Sequence, residues 1–287
     1  MVVNKNIFMN HSYSHFKNIS GSNNYYQFWL PNENPDQILL VVHGFAEHGG
    51  RYKNLIDHFL PLNYAIYALD HVGHGNSDGY RYYVDSIFDF VDSIKKLTEI
   101  VKVSHPNKQI FILGHSMGGL LTSLALIEHQ EEYEGAILSA PLIKNYGYIS
   151  PVLIFITRIL SVIFPKFGVN SIDAEYISRD PKVVNDYLND PLISIKSKIT
   201  AKLAVELING MKFVLDNAYK ITLPIKIFQG MGDVIVDPGG AQLLYDAISS
   251  DDKKIKHYDI LFHEILNEPE KKDVLKDIEY WLEAHVS

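Results

Sequence analysis

Gly114-His115-Ser116-Met117-Gly118 holds a serine between two glycines. It joins an apolar run at 110–113 to a helix-period run at Leu120, Leu121, Leu124, Ala125 and Leu126. A strand that turns sharply into a helix through G-x-S-x-G lifts its serine hydroxyl above a sheet edge, where it can act as a nucleophile. The turn brings the chain against itself, and glycines on either side leave it room. The Met117 N–H would then sit at a helix N-terminus, facing a developing oxyanion. A bare G-x-S-x-G arises by chance in roughly one chain of this length in ten, so the strand before and the helix after carry the reading.

A serine needs a base, and the base needs an acid to orient it; on this kind of turn the chain order is serine, acid, histidine. Asp233, after a late apolar run, and His263, between the last strand-like and helix-like segments, stand in that order. Asp237 is the rival acid, and Asp233 is preferred because it lies nearer the strand end. The second oxyanion donor is expected from His43-Gly44-Phe45, with the Phe45 N–H paired with that of Met117. Two histidine pairs invite a metal reading, His43 with His48 and His71 with His74. Each lies on a glycine-rich loop with no third ligand nearby in sequence, and His263-Glu264-Ile265-Leu266-Asn267 lacks the second histidine of H-E-x-x-H. No metal and no cofactor are expected.

The elements that must position these residues alternate. A hairpin is predicted for 15–18 against 25–30, then buried strands at 38–42 and 65–69, with a helix near 52–60 between them. A helix at 85–103 precedes the serine turn, and a strand at 135–139 follows it. From 141 to 223 the rhythm breaks: no convincing strand appears, only helical stretches punctuated by prolines. Alternation resumes with a strand at 225–229, a helix near 240–248, a strand near 254–258 and a helix at 270–285. The pattern predicts an α/β domain with a mostly parallel sheet, built from 1–140 and 224–287, and a helical cap inserted at 141–223.

The 287 residues are 47% hydrophobic, which supplies a sizeable core. A net charge of −8 without a block of like charge argues against nucleic acid as a partner. There are no cysteines, hence no disulfide and no thiolate metal site. The first fifteen residues lack the apolar core of a signal peptide, and no run reaches the length of a membrane span, so a cytoplasmic location is expected.

HGFAEHGGRY at 43–52, DHVGHGNSDG at 70–79, GHSMGG at 114–119, DAEYISRDP at 173–181 and the Asp233 and His263 segments together resemble the monoacylglycerol lipase family of α/β-hydrolases. The resemblance runs in order over nearly the whole chain. It implies an eight-stranded, mostly parallel sheet under a helical cap, and release of a fatty acid from a lipid monoester. Ser116, Asp233 and His263 match the family's triad, and Phe45 and Met117 its oxyanion hole. Glu47 and Arg51 match polar positions near the glycerol end of its pocket. Phe45 is bulkier than the residue usual in animal members. The same motifs occur in lysophospholipases and general carboxylesterases, which stand as the alternative reading; a non-catalytic scaffold of the same fold is the third.

Within the cap, the run VLIFITRILSVIF at 152–164 lies between two prolines. As a helix of roughly 20 Å it is too short to span a bilayer. On a helical wheel Thr157, Arg158, Ser161 and Ile154 share one arc of about 100°, and the remaining arc is apolar. One-sided burial needs an apolar stripe of only about 100°. The excess suggests one surface lining an acyl pocket and another meeting lipid, with one of Leu153 and Phe155, near opposite margins of the arc, facing outward, which would make the protein peripheral at membranes; burial deep inside the cap is the alternative.

Overall fold

The computed structural model describes residues 10–147, 150–171, 173–194 and 197–286. Most of the N-terminal stretch searched above for a leader lies outside them. Ten strands occur among the described residues: β1 (Asn10–Lys17), β2 (Asn23–Leu30), β3 (Gln37–Val42), β4 (Tyr64–Leu69), β5 (Ile110–His115), β6 (Gly135–Ser139), β7 (Gly168–Asn170), β8 (Ile199–Thr200), β9 (Ile225–Gly230) and β10 (Lys253–Tyr258). The helices are α1 (Lys53–Phe59), α2 (Ile87–Ser104), α3 (Met117–His129), α4 (Pro151–Ile163), α5 (Pro181–Leu188), α6 (Ala201–Asn217), α7 (Gly239–Ala247) and α8 (Lys271–Glu283).

Eight strands form one sheet in the order β1-β2-β4-β3-β5-β6-β9-β10. The pairs β1/β2 and β2/β4 are antiparallel, and the rest are parallel. The apolar run of β3 shows why: Ile38, Leu40 and Val42 join the core with α2 and α3, while Leu39 and Val41 face the core with α1 and α8. A strand buried on both faces reads as continuous hydrophobic sequence, and helices must cover both sides. α2 starts two residues later than the spacing predicts, because the Ser86 side chain accepts the Phe88 N–H and caps it.

Three findings differ from the sequence reading. β1 is longer than predicted and exposed at nearly every residue; its histidines and serines carry no apolar alternation, and it is held by stacking such as His11 on Trp29. The segment between β6 and β9 contains two short antiparallel strands, β7 and β8, too brief to show a period. Within that segment α6 packs on the α/β core as well as on the cap. Leu203, Leu207, Met211 and Val214 belong to one buried cluster with Leu120 and Leu124 of α3.

The orientation of α4 bears on function. Its buried residue is Thr157, whose hydroxyl donates to the Leu153 carbonyl, and Ile154, Leu160 and Ser161 are half-buried on the same side. The apolar arc points away: Val152, Leu153, Phe155, Ile156, Ile159, Val162 and Ile163 are all exposed. The helix therefore turns most of its apolar arc to solvent; near its two margins Phe155 is on the outside, and Leu153, though exposed, also walls the cavity beneath the helix. Among the described residues no helix is long and apolar enough to cross a membrane.

Candidate active site

β5 ends at His115 and α3 begins at Met117, so the whole turn is made by Ser116, at φ 55° and ψ −120°. A non-glycine residue at positive φ carries strain that its surroundings must hold. The Ser116 N–H donates to the Ser139 carbonyl at 3.0 Å, and the Ser116 carbonyl accepts the N–H groups of Gly119 and Leu142. The closeness of the turn explains its glycines. A Cβ on Gly118 would lie 2.0 Å from the Val42 carbonyl oxygen, and one on Gly114 would lie 2.3 Å from Thr122 Oγ1.

Side chains from three separate loops meet there. His263 Nε2 lies 2.8 Å from Ser116 Oγ, and His263 Nδ1 lies 2.7 Å from Asp233 Oδ2. Asp233 follows β9, and its Oδ1 accepts the N–H groups of Ile235 and Val236, while Gln229 donates to Oδ2. All three residues of this line are buried. Burial acts to lower the His263 pKa, but the charge and hydrogen bond of Asp233 outweigh it, with Glu264 and Glu47 adding, and the net shift is upward. Asp237 is elsewhere: it pairs with Lys144 at 2.7 Å and accepts the Gly239 N–H, and the Lys144 bond holds its carboxyl below the usual range.

The loop after β3 lies against Ser116: a Cβ on Gly44 would come within 3.0 Å of Ser116 Cβ. Among the described residues no other group takes up the N–H of Phe45 or Met117. Phe45 packs on Tyr82, ring centroids 4.7 Å apart. Glu47 is buried and Arg51 largely buried beside it; Glu47 Oε1 accepts the Gly44 N–H and the Tyr52 hydroxyl, and Arg51 Nη2 donates to both carboxylate oxygens of Glu264. A cavity of about 10 Å³ lies between these residues and His115, room for about one water. Burial, then the charge of Glu264, push the Glu47 carboxyl up to about 7, with Arg51 acting the other way.

The paired histidines are structural neighbours. The rings of His43 and His71 lie 4.2 Å apart and those of His43 and His74 lie 5.4 Å apart, all buried. His43 Nδ1 lies 2.7 Å from the Gly44 carbonyl and its Nε2 accepts the His71 N–H. His48 accepts the Gly50 N–H at Nδ1, so Nε2–H points to Asp190 of the cap at 3.0 Å. Among the described residues no three His, Cys, Asp or Glu side chains are arranged to hold a metal ion.

A cavity of about 360 Å³ opens beneath α4, lined by Leu142, Leu153, Ile154, Leu207, Ile208 and Met211 among others. Leu142 in its wall donates its N–H to the Ser116 carbonyl, while Ser116 and His263 themselves do not line it. A second, more polar cavity of about 310 Å³ borders Phe45 and Ala46 and is lined by Ser171, Tyr187 and Ser194.

Sequence reasoning missed Glu264 as a partner of Arg51, and Asp190 as a partner of His48. It also missed Tyr82, whose carbonyl accepts the Thr200 hydroxyl and whose hydroxyl accepts the Ser194 N–H, tying the cap down. The one available signal was the charge of Glu264 directly after His263.

A strand–serine–helix elbow on a mostly parallel sheet, with a histidine and an aspartate brought to it from the loops after β10 and β9, defines the α/β-hydrolase class. The chain belongs to the family described as serine aminopeptidase S33 (Hydrolase_4), which matches residues 33–270. It is 34% identical to the monoacylglycerol lipase of Mycolicibacterium smegmatis over 271 residues, 94% of this chain and 96% of that one. To the monoglyceride lipase of Rattus norvegicus it is 32% identical over 276 residues, 95% of this chain and 91% of that one. The solved structure of the Paleococcus ferrophilus monoacylglycerol lipase superposes with a TM-score of 0.81 at 26% identity, covering 96% of this chain and 100% of that one.

Proposed function

We propose that the chain is a serine carboxylic-ester hydrolase that releases a fatty acid from monoacylglycerol. The observation that carries this reading is the hydrogen-bonded line Ser116–His263–Asp233, one residue removed from an apolar cavity with Leu142 in its wall. Ser116 Oγ attacks the ester carbonyl as His263 Nε2 takes its proton. Asp233 holds the Nδ1–H tautomer and stabilises the imidazolium. The free N–H groups of Phe45 and Met117 receive the charge that forms on the carbonyl oxygen. His263 returns its proton to the departing glycerol, leaving an acyl group on Ser116, and a water activated by the same histidine releases the fatty acid. The cavity under α4 takes the acyl chain, and the polar cavity at Phe45 takes the alcohol.

The relatives named as monoacylglycerol and monoglyceride lipases support this substrate. The outward apolar arc of α4 supports delivery from a lipid surface, with the helix lying in the interface plane. A panel of monoacylglycerol, diacylglycerol, lysophosphatidylcholine and a short-chain p-nitrophenyl ester tests the reading. Monoacylglycerol is expected to show the highest kcat/KM. Faster cleavage of lysophosphatidylcholine would replace the substrate, and no cleavage of any ester would remove the enzyme.

A further inference from the structure

Glu264, the residue after the candidate base, is as buried as the triad, and its carboxylate is engaged with Arg51, 213 positions away in the chain. Arg51 Nη2 donates to Glu264 Oε1 at 2.8 Å and to Oε2 at 2.7 Å. On the other edge of the same guanidinium, Arg51 Nε faces Glu47 Oε2 at 3.7 Å. Glu47 Oε1 in turn accepts the Gly44 N–H, one residue before Phe45. A series of polar contacts thus runs from the backbone that carries His263 to the backbone that carries the Phe45 amide, hydrogen-bonded at every step except the Arg51–Glu47 ion pair, where Arg51 Nε is buried without a hydrogen bond. Both ends are anchored. Asn267 Nδ2 donates to Glu264 Oε2 at 2.7 Å, the Glu264 N–H donates to the Ile177 carbonyl at 2.7 Å, and the Tyr52 hydroxyl donates to Glu47 at 2.9 Å.

Two buried carboxylates sharing one buried guanidinium make a poor stabilising device. Desolvating the three groups is costly, and apolar side chains of similar volume would often stabilise the site more. What such a cluster supplies is fixed geometry, because the planar fork of arginine accepts a carboxylate in only a few orientations. Here the geometry being fixed is the spacing between base and oxyanion donor. We propose that Glu264, acting through Arg51 and Glu47, is a positioning residue that holds the His263 loop and the Phe45 amide in one register around Ser116. The proposal rests on the ester-hydrolase reading above, and it gives Arg51 and Glu47 a role that does not depend on glycerol.

The test compares Glu264→Gln, Arg51→Lys and the double variant with the unaltered protein, each corrected for the fraction of molecules phosphonylated at Ser116 by saturating fluorophosphonate. Substrates are a monoacylglycerol and a p-nitrophenyl ester of the same acyl chain. A misplacement of about 1 Å can cost 10²-fold, so each single variant is expected to lose about 10- to 100-fold in kcat per labelled site, with KM within about threefold. The loss should be the same on both esters, and the double variant should be no worse than the worse single, since the groups act as one unit. His263 is faced by Asp233, Glu47 and His115 as well as Glu264. Glu264→Gln removes one of the negative charges that raise the His263 pKa, so the acid limb of its kcat/KM profile should move to lower pH.

Unchanged kcat per labelled site in Glu264→Gln, with any loss confined to the labelled fraction, would reduce the cluster to a folding role and overturn the proposal. So would additive losses, or a loss seen on monoacylglycerol alone, which would return Arg51 to contact with glycerol. If the unaltered protein is not phosphonylated at Ser116, the underlying function fails, a result distinct from all of these.

Discussion

Asp233→Asn is nearly isosteric, and the structure fixes what it does. Oδ1 of Asp233 accepts two backbone N–H groups, from Ile235 at 2.8 Å and Val236 at 3.1 Å. An asparagine must keep its carbonyl oxygen there, because turning its NH₂ toward those amides would set donor against donor and leave buried groups unpaired. The NH₂ therefore takes the place of Oδ2, 2.7 Å from His263 Nδ1. Facing a donor, Nδ1 becomes an acceptor and the proton moves to Nε2, the atom 2.8 Å from Ser116 Oγ. The imidazole can then no longer take the serine proton, and the charge that would stabilise the imidazolium is gone. The expected cost is about 10⁴-fold in kcat, about 5.5 kcal/mol at ~1.4 kcal/mol per tenfold. The residual acid limb should move to lower pH, because Asp233 is the main group raising the His263 pKa against burial. Initial rates on a p-nitrophenyl ester across pH 5–9, with circular dichroism to establish folding, provide the assay. Asp237→Asn should keep at least half of the activity, since Asp237 faces Lys144. An Asp233→Asn variant with more than a tenth of the original kcat, or an equal fall in Asp237→Asn, would refute the reasoning.

Gly118→Ala should give insoluble protein or lose more than about 3 kcal/mol in urea unfolding, because its Cβ would meet carbonyl oxygens of both Val42 and His43. Stability should fall as pH drops below about 6.5: burial holds His71 at about 3 and His74 at about 4, and keeps His43 well below its ordinary value. The unfolded chain takes up protons on them that the folded chain refuses, about 1 kcal/mol per histidine per pH unit. Glu47 works the other way between 4.5 and about 7, so urea midpoints at pH 7.5 and 5.5 should show a net loss in acid, and a flat profile would contradict it. Phe155→Glu should weaken sedimentation with phosphatidylcholine vesicles several-fold while sparing hydrolysis of a soluble short-chain ester, since Phe155 is 64% exposed; unaltered vesicle binding would remove the interfacial role of α4.

The parts legible in the sequence are those whose meaning is local. β3 and β4 read as buried strands because parallel strands covered on both faces leave no room for alternation. The serine turn reads because the tight turn and close packing demand glycines at fixed offsets. Chain order alone placed Asp233 and His263 on the loops that the fold brings to Ser116. Glu264 was illegible because its partner is 213 residues away, and only the folded chain puts the two in contact. The orientation of α4 was half-legible: a helical wheel gives the width of the apolar arc but not the side that neighbours cover. β7 and β8, of three and two residues, are products of the cap packing on α6 and carry no period of their own.

The central claim is that an acyl group passes through Ser116. Rapid quenching of the protein with a long-chain p-nitrophenyl ester, followed by peptide mass mapping, tests it most directly. A pre-steady-state burst approaching one nitrophenol per chain and an acyl mass on the peptide containing Ser116 are expected, both absent in Ser116→Ala. Steady ester hydrolysis with no acylated Ser116, or with the acyl mass on another residue, would contradict it.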